Sequence, residues 1–298
     1  MNRREFLKKS AMGSMAVFAT SAFGAPAYAT PSARDLKIGI MWNTIGAGDT
    51  IREKFQLSKR AGFDGVEVMS HMNRKEVLEA RDDTGLEIPS VCNSKHWNIP
   101  LSSSDPATRK KGREALELSL EDASAYGADT VLLVPGRVDE TTSYDDCWYR
   151  SIEEIKKAVP LAEKLKVTIA IENVWNNFIL SPMEALHYLD QFNSPYVKFY
   201  FDCGNILRYG WPEQWINILG RRIAKVHIKE FSREIANEKG NSAGFGVQLR
   251  EGDVNWSAVM KALDNIGYSD WITLEQRGGD SLKGLKELVN RTQKIVSS

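Results

Sequence analysis

Residues 167–172 read Val-Thr-Ile-Ala-Ile-Glu, a short apolar run that ends in a carboxylate. An apolar run closed by an ionisable side chain recurs at 197–202, 223–227 and 271–275. The four closing residues are Glu172, Asp202, His227 and Glu275. A charge at the end of a buried strand is costly unless it is paired or bound to a metal. Because the four residues close successive runs, they predict one shared site.

Short apolar runs alternate with amphipathic helical stretches from residue 36 onwards. The runs show little polar alternation, which is typical of strands buried on both faces. We predict strands over 36–41, 64–69, 87–92, 130–134, 167–171, 197–201, 223–228 and 271–275. We predict helices over 107–126, 151–164, 182–191, 211–219, 256–266 and 281–296, and Gly62, Gly127 and Gly267 as helix ends.

Eight strand–helix units predict an α/β fold, a (β/α)8 TIM barrel, whose usual size is roughly 250 residues. A doubly wound open sheet is the alternative. That fold would usually carry a dinucleotide-binding glycine turn after its first strand, a pattern that Asn-Thr-Ile-Gly-Ala-Gly at 43–48 lacks. Active sites in the barrel lie at the C-terminal ends of the strands. The closing residues of strands five to eight are therefore expected to converge.

Three carboxylates and one imidazole form an oxygen-rich ligand set that suits a divalent cation. We favour Mn²⁺, with Mg²⁺, Co²⁺ and Zn²⁺ as alternatives. Glu172 and Glu275 are also the candidate catalytic acid and base, because two carboxylates that flank one substrate carbon can transfer protons on its opposite faces. Each residue alone has a structural interpretation, such as a core histidine or a turn cap. Their common position on four consecutive strands favours a functional one.

Five further residues are candidates for substrate binding. Trp175 lies among three asparagines just beyond Glu172, a combination that suits sugar hydroxyls and CH groups. His96 follows the third strand, where it can lie over the barrel mouth, and Glu67 ends the second strand, where it can act as an additional acid or hydrogen-bond partner. Asn205 lies three residues beyond Asp202. Arg233 can contact substrate oxygens, pair with acids or remain a solvated rim charge.

The N-terminus resembles a twin-arginine export signal. Residues 2–8 contain the paired arginines and Phe-Leu-Lys, an apolar stretch runs from Ala11 to Phe23, and Ala27-Tyr28-Ala29 offers a cleavage site. We predict a signal peptide over 1–29, one barrel domain over 30–298, passage through the twin-arginine translocase and a periplasmic or exported location. The apolar stretch is shorter than a membrane span of roughly 20 residues, so we expect no stable membrane insertion.

The balance of charge does not favour a nucleic-acid partner. The chain of 298 residues has 39 Lys plus Arg and 39 Asp plus Glu. Loss of 1–29 would remove four basic residues and one acidic residue, leaving a formal charge of −3. The three cysteines, Cys92, Cys147 and Cys203, cannot all pair within one chain, and the sequence does not compel a disulfide.

These residues together resemble the sugar phosphate isomerase/epimerase family of xylose isomerase-like barrels. The resemblance covers essentially all of the chain after the signal. It implies that Glu172, Asp202, His227 and Glu275 bind the metal, that the two glutamates form the acid/base pair, and that Arg233 contacts substrate. Two positions depart from the free-ketose epimerases, which typically have Glu where this chain has Phe178 and His where it has Asn205.

The resemblance implies a metal-dependent sugar isomerase or epimerase that transfers protons through an enediolate. Because sugar phosphates are mostly intracellular, the export signal favours an unphosphorylated sugar, sugar acid or oxidised glycoside. The main alternative is a metal-dependent lyase or hydratase acting on a keto-sugar or keto-glycoside. A non-catalytic periplasmic sugar-binding barrel is the second. An endonuclease is disfavoured by the four histidines and the negative charge. Homo-oligomers are common in the family.

Overall fold

The computed structural model describes residues 34–298. The export signal predicted over 1–29 lies outside the described residues. Eight parallel strands form a closed barrel in sequence order, β1 to β8. They span Lys37–Met41, Gly65–Met69, Val91–Cys92, Thr130–Leu133, Thr168–Glu172, Val197–Asp202, Ile223–Ile228 and Trp271–Leu274. The predicted TIM barrel is confirmed.

Ten α-helices, α1 to α10, are present in the described part of the chain. They span Ile51–Ala61, Arg74–Thr84, Pro106–Tyr126, Tyr144–Leu165, Pro182–Leu189, Cys203–Leu207, Pro212–Leu219, Arg233–Lys239, Trp256–Ile266 and Leu282–Val296. Short 3₁₀ turns lie at Trp42–Thr44, Gly220–Arg222 and Asn241–Gly246. Gly62, Gly127 and Gly267 end α1, α3 and α9 in the left-handed conformation, as predicted. None of the described helices combines the length and apolar character that crossing a membrane requires.

Two predicted elements differ from the observed ones. The third strand was expected over 87–92 but is only Val91–Cys92, with Glu87 reduced to an isolated bridge. Pro89 lies between them and has no N–H for the ladder, which accounts for the short strand. Helix α4 begins at Tyr144, well before the predicted start at residue 151, because Ser143 caps it by accepting a hydrogen bond from Asp146 N.

The core has two parts. A large cluster of apolar side chains fills the space between the strands and the surrounding helices, including Leu116, Leu120 and Ala123 of α3. A smaller cluster fills the barrel interior: Met41, Cys92, Leu132, Ala170 and Tyr200. All three cysteines are buried and free. The filled interior closes the barrel below the C-terminal ends of the strands, where the polar residues collect.

Candidate functional site

The four predicted ligands converge at one edge of the barrel. Glu172 and Asp202 are the last residues of β5 and β6, His227 is the penultimate residue of β7, and Glu275 follows β8 directly. Strand register places Asp202 beside His227. One ligand atom from each of the four side chains lies within 4.8 Å of the others, a group that could hold a metal ion.

The imidazole of His227 is the centre of this group. Its Nδ1 lies 3.0 Å from Glu172 Oε1, 3.4 Å from Glu275 Oε2 and 4.0 Å from Asp202 Oδ2. Asp202 Oδ1 accepts a hydrogen bond from Asn205 N at 2.6 Å, whereas Asp202 Oδ2 is buried and has no hydrogen-bond partner among the described residues. An unpaired buried carboxylate oxygen is expensive, so this atom points to a cation as its missing partner.

Glu67 lies on the other side of His227. Its Oε1 is 3.0 Å from His227 Nε2, and its Oε2 accepts hydrogen bonds from the hydroxyls of Ser90 and Tyr200. A carboxylate that accepts the Nε2 proton leaves the Nδ1 lone pair free to bind a metal. Glu67 is fully buried. Its position matches the hydrogen-bond partner considered from the sequence, and direct substrate contact stays a prediction.

Lys229 supplies a buried positive charge beside the acids. Its Nζ lies 3.0 Å from Glu275 Oε2, 3.8 Å from Asp202 Oδ2 and 4.9 Å from the centroid of the Phe245 ring. Lys229 was not among the site residues predicted from the sequence, so its role was undecided. The signal that could have decided it is the strand period of two, since Lys229 lies two residues beyond His227 and faces the same way.

Burial and crowding perturb the ionisation of these groups. Burial raises the pKa of Asp202 to about 7, against the opposing effect of the Lys229 ammonium. Burial would lower the pKa of His227, but the carboxylates around it outweigh burial and raise that pKa well above its usual value. Burial would raise the pKa of Glu275, but Lys229 and His227 hold it below its usual value. A divalent cation bound between these buried carboxylates would reduce the repulsion among their negative charges.

A cavity of about 490 Å³ opens directly above the four ligands. Glu172, His227 and Glu275 line it, together with three of the predicted substrate-binding residues, His96, Trp175 and Asn205. The Asn205 side chain is held in place by a hydrogen bond that its Nδ2 donates to Asn173 O at 2.9 Å. The Trp175 indole N–H donates to Asn205 O at 2.8 Å, so these two residues support one wall.

A second cavity of about 510 Å³ adjoins the first and extends toward the loop after β8. The two cavities share Met41, Asn43, Lys229, Phe245 and Glu275. Arg277 and Asp280 line the second cavity only. Sequence reasoning did not single out Asn43, Phe245 or Arg277, because they lie on loops whose return to the barrel mouth has no periodic signal.

Arg233 lies outside both cavities. Its guanidinium donates to Leu207 O and Gly210 O at 2.9 Å each and stacks near the Trp211 ring. These contacts fix the end of α6 and the loop between α6 and α7, and the substrate contact implied by the resemblance stays a prediction. The Phe178 side chain is likewise remote from the cavities, packed against Tyr144, Trp148 and Tyr188.

The loop before α9 has a structural role. Asp253 Oδ2 accepts a hydrogen bond from Arg233 N, and Asn255 caps the helix by accepting one from Ala258 N. The nearby Glu230 is another buried carboxylate, but its two oxygens accept four hydrogen bonds from N–H groups, including the indole of Trp256. Glu230 therefore stabilises the conformation of this loop.

Comparisons with known proteins give a consistent result. The family described as xylose isomerase-like TIM barrel has a model that matches residues 55–295. L-ribulose-5-phosphate 3-epimerase UlaE from Escherichia coli (strain K12) is 27% identical over 249 residues, covering 79% of this chain and 85% of that protein.

Solved structures extend the likeness in fold. D-allulose 3-epimerase from Methylomonas sp. superposes with a TM-score of 0.70 at 19% identity, covering 88% of this chain and 98% of that one. The 3-keto-D-glucoside 4-epimerase YcjR from E. coli has a TM-score of 0.73 at 19% identity, covering 88% of this chain and 100% of that one. At these identities the structural likeness shows the fold.

Proposed function

Since the chain belongs to the xylose isomerase-like TIM-barrel family, we propose that it is a metal-dependent enzyme that isomerises or epimerises a sugar. The observation that carries the proposal is the convergence of Glu172, Asp202, His227 and Glu275 beneath an open cavity. The similarity to a named ribulose-phosphate epimerase over most of the chain supports the isomerase class.

The side chains present fit a divalent metal. Three carboxylates and an imidazole suit Mn²⁺, Mg²⁺, Co²⁺ or Zn²⁺, and we favour Mn²⁺. Asp202 Oδ2 has no hydrogen-bond partner among residues 34–298, and Glu67 is positioned to orient the imidazole. When bound, the metal would polarise a sugar carbonyl and its neighbouring hydroxyl and so acidify the C–H bond between them.

Glu172 and Glu275 would move the proton. The Glu275 side chain is 27% exposed and Glu172 only 6%, so Glu275 has the freer access to the cavity. One glutamate removes the proton from the carbon beside the carbonyl, and an enediolate results. Return of a proton from the other glutamate to the opposite face inverts that carbon, and return to the adjacent carbon isomerises the sugar.

An unphosphorylated substrate is part of the proposal. Lys229 pairs with Glu275, and Arg277, the other cationic side chain among the described residues that line the second cavity, shares that cavity with Asp280. This balance of charge does not form a concentrated anion site. The export signal predicted over 1–29 supports the same substrate class through a periplasmic or exported location. A homo-oligomer is a further expectation, drawn from the family resemblance.

The test is deuterium exchange followed by proton NMR in D₂O, with metal-loaded protein and a panel of free ketoses, aldoses and keto-glycosides. We expect deuterium to enter beside the carbonyl in a product of otherwise unchanged mass. Glu172→Gln and Glu275→Gln should each abolish the exchange. Glu154→Gln is the matched control, because Glu154 is a buried acid on α4 that pairs with Arg113 and Lys157 away from the cavity.

Substantial exchange in either active-site variant would refute the proton-transfer roles. Loss of a substituent from the sugar would replace the isomerase with the lyase or hydratase. Binding of sugars without exchange would favour the non-catalytic sugar-binding barrel.

A further inference from the structure

The ring of His96 is held in one orientation by the backbone of the next strand. His96 follows β3, and its Nδ1 lies 3.2 Å from Val134 N just beyond β4. A backbone N–H can only donate, so Nδ1 must be the acceptor. A neutral imidazole has one proton, which must then reside on Nε2.

The Nε2–H group faces the cavity. His96 is only 8% exposed, yet it lines the same cavity as Glu172 and Glu275. No described residue accepts a hydrogen bond from Nε2, and Nε2 is not among the unpartnered atoms sealed within the described protein. The protein therefore presents an unused donor to whatever occupies the cavity.

The surroundings keep this ring neutral. No carboxylate of the described chain pairs with it, and the edge of its ring meets Trp97 at a centroid distance of 5.5 Å. Burial lowers the pKa of His96 to about 4. A neutral N–H donor can bond to an oxygen ligand of any charge and, unlike a cationic donor, does not repel the metal ion.

We propose that His96 is a substrate-positioning residue that donates a hydrogen bond from Nε2 to an acceptor oxygen of the sugar. The identity of the ligand rests on the proposed function, whereas the tautomer does not. His96 follows β3 and its ring contacts the residue after β4, and these two strands lie opposite β7 and β8 in the closed barrel, so the ring approaches the cavity from the side across from Glu275. The oxygen that it holds is therefore on the part of the sugar remote from β8, and the contact orients the substrate without joining the proton transfer.

The first experiment reads the tautomer directly. Nitrogen-15 NMR of histidine-labelled, Mg²⁺-loaded protein should show a neutral Nε2–H ring for His96, identified by its loss in His96→Asn. Addition of D-fructose or D-tagatose should shift that Nε2–H signal. An Nδ1–H tautomer, or no shift with either sugar, would overturn the proposal.

Two variants separate positioning from folding. His96→Asn retains an acceptor for Val134 N but cannot reach the cavity, whereas His96→Gln can extend an amide donor toward it. Loss of one neutral hydrogen bond should raise KM roughly 3- to 10-fold in His96→Asn with kcat near that of the parent, and His96→Gln should recover part of the loss. An unchanged KM in His96→Asn would refute the role. If no sugar undergoes exchange, the proposed reaction fails, and the tautomer and the sugar-induced shift still decide the role of His96.

Discussion

Replacement of Glu67 by Gln tests whether the buried contact behind His227 tunes metal binding. Glu67 Oε1 lies 3.0 Å from His227 Nε2, while Oε2 accepts from Ser90 Oγ and Tyr200 OH. Glutamine has nearly the same shape but only one acceptor oxygen. Whichever way its amide turns, either the imidazole or the two hydroxyls lose the carboxylate that they face.

The expected loss is moderate and specific to the metal. Removing a carboxylate that orients a metal-bound histidine typically weakens metal affinity about 10- to 100-fold. At about 1.4 kcal/mol per factor of ten, this corresponds to roughly 1.4–2.8 kcal/mol. The loss arises because a neutral amide favours a proton on Nε2, and therefore a free lone pair on Nδ1, less strongly than a carboxylate does.

Competition titration with a chromophoric chelator on metal-stripped protein measures this affinity directly. Glu154→Gln is again the matched control, since the substitution and the burial are alike but the residue pairs with cations on the helical layer. We expect Glu154→Gln to bind Mn²⁺ as the parent does. A folded Glu67→Gln variant with unchanged Mn²⁺ affinity would refute the reasoning.

Two further predictions concern stability. Asp202→Asn preserves the helix cap on Asn205 N but removes the buried unpaired charge, so the metal-free variant should melt at or above the melting temperature of the parent. Added Mn²⁺ should raise the Tm of the parent but not that of the variant. An increase of Tm in both proteins would contradict the role of Asp202 as a ligand. The folded-state pKa of His96, about 4, lies below the ordinary value near 6.5. The unfolded chain thus binds the proton first, and up to about 3 kcal/mol of stability is present above pH 6.5 and is lost as the pH falls toward 4. Chemical denaturation from pH 7 to 4 should show a weaker acid loss in His96→Asn than in the parent, and parallel profiles would refute the assignment.

The fold was predictable because its strands are buried on both faces. Their apolar runs stand out against amphipathic helices, and the eight units leave few arrangements. The third strand was overestimated because Pro89 removes a ladder hydrogen bond within an otherwise apolar run. Helix α4 was underestimated because its first two turns depend on a cap at Ser143 rather than on periodic apolar residues.

The ligand set was predictable for a related reason. In a parallel barrel the end of each strand fixes a position at the rim, so strand order alone brings Glu172, Asp202, His227 and Glu275 together. The cavity walls are different, because they come from loops. The direction of the Arg233 guanidinium depends on carbonyls at Leu207 and Gly210, which no local pattern in the sequence relates to it.

Burial alone does not separate a functional carboxylate from a structural one at this rim. Glu230 and Asp202 are both fully buried; Glu230 lies just beyond the end of β7, and Asp202 ends the neighbouring strand β6 in register with His227. The protein surrounds Glu230 with four N–H donors, which compensate for the water that the carboxylate has lost. Within the described part of the chain no N–H group donates to Asp202 Oδ2, and Lys229 Nζ is no nearer than 3.8 Å. The distinction is thus the missing hydrogen-bond donor at Asp202 Oδ2, whose place a bound metal ion would take, whereas Glu230 needs no such ion.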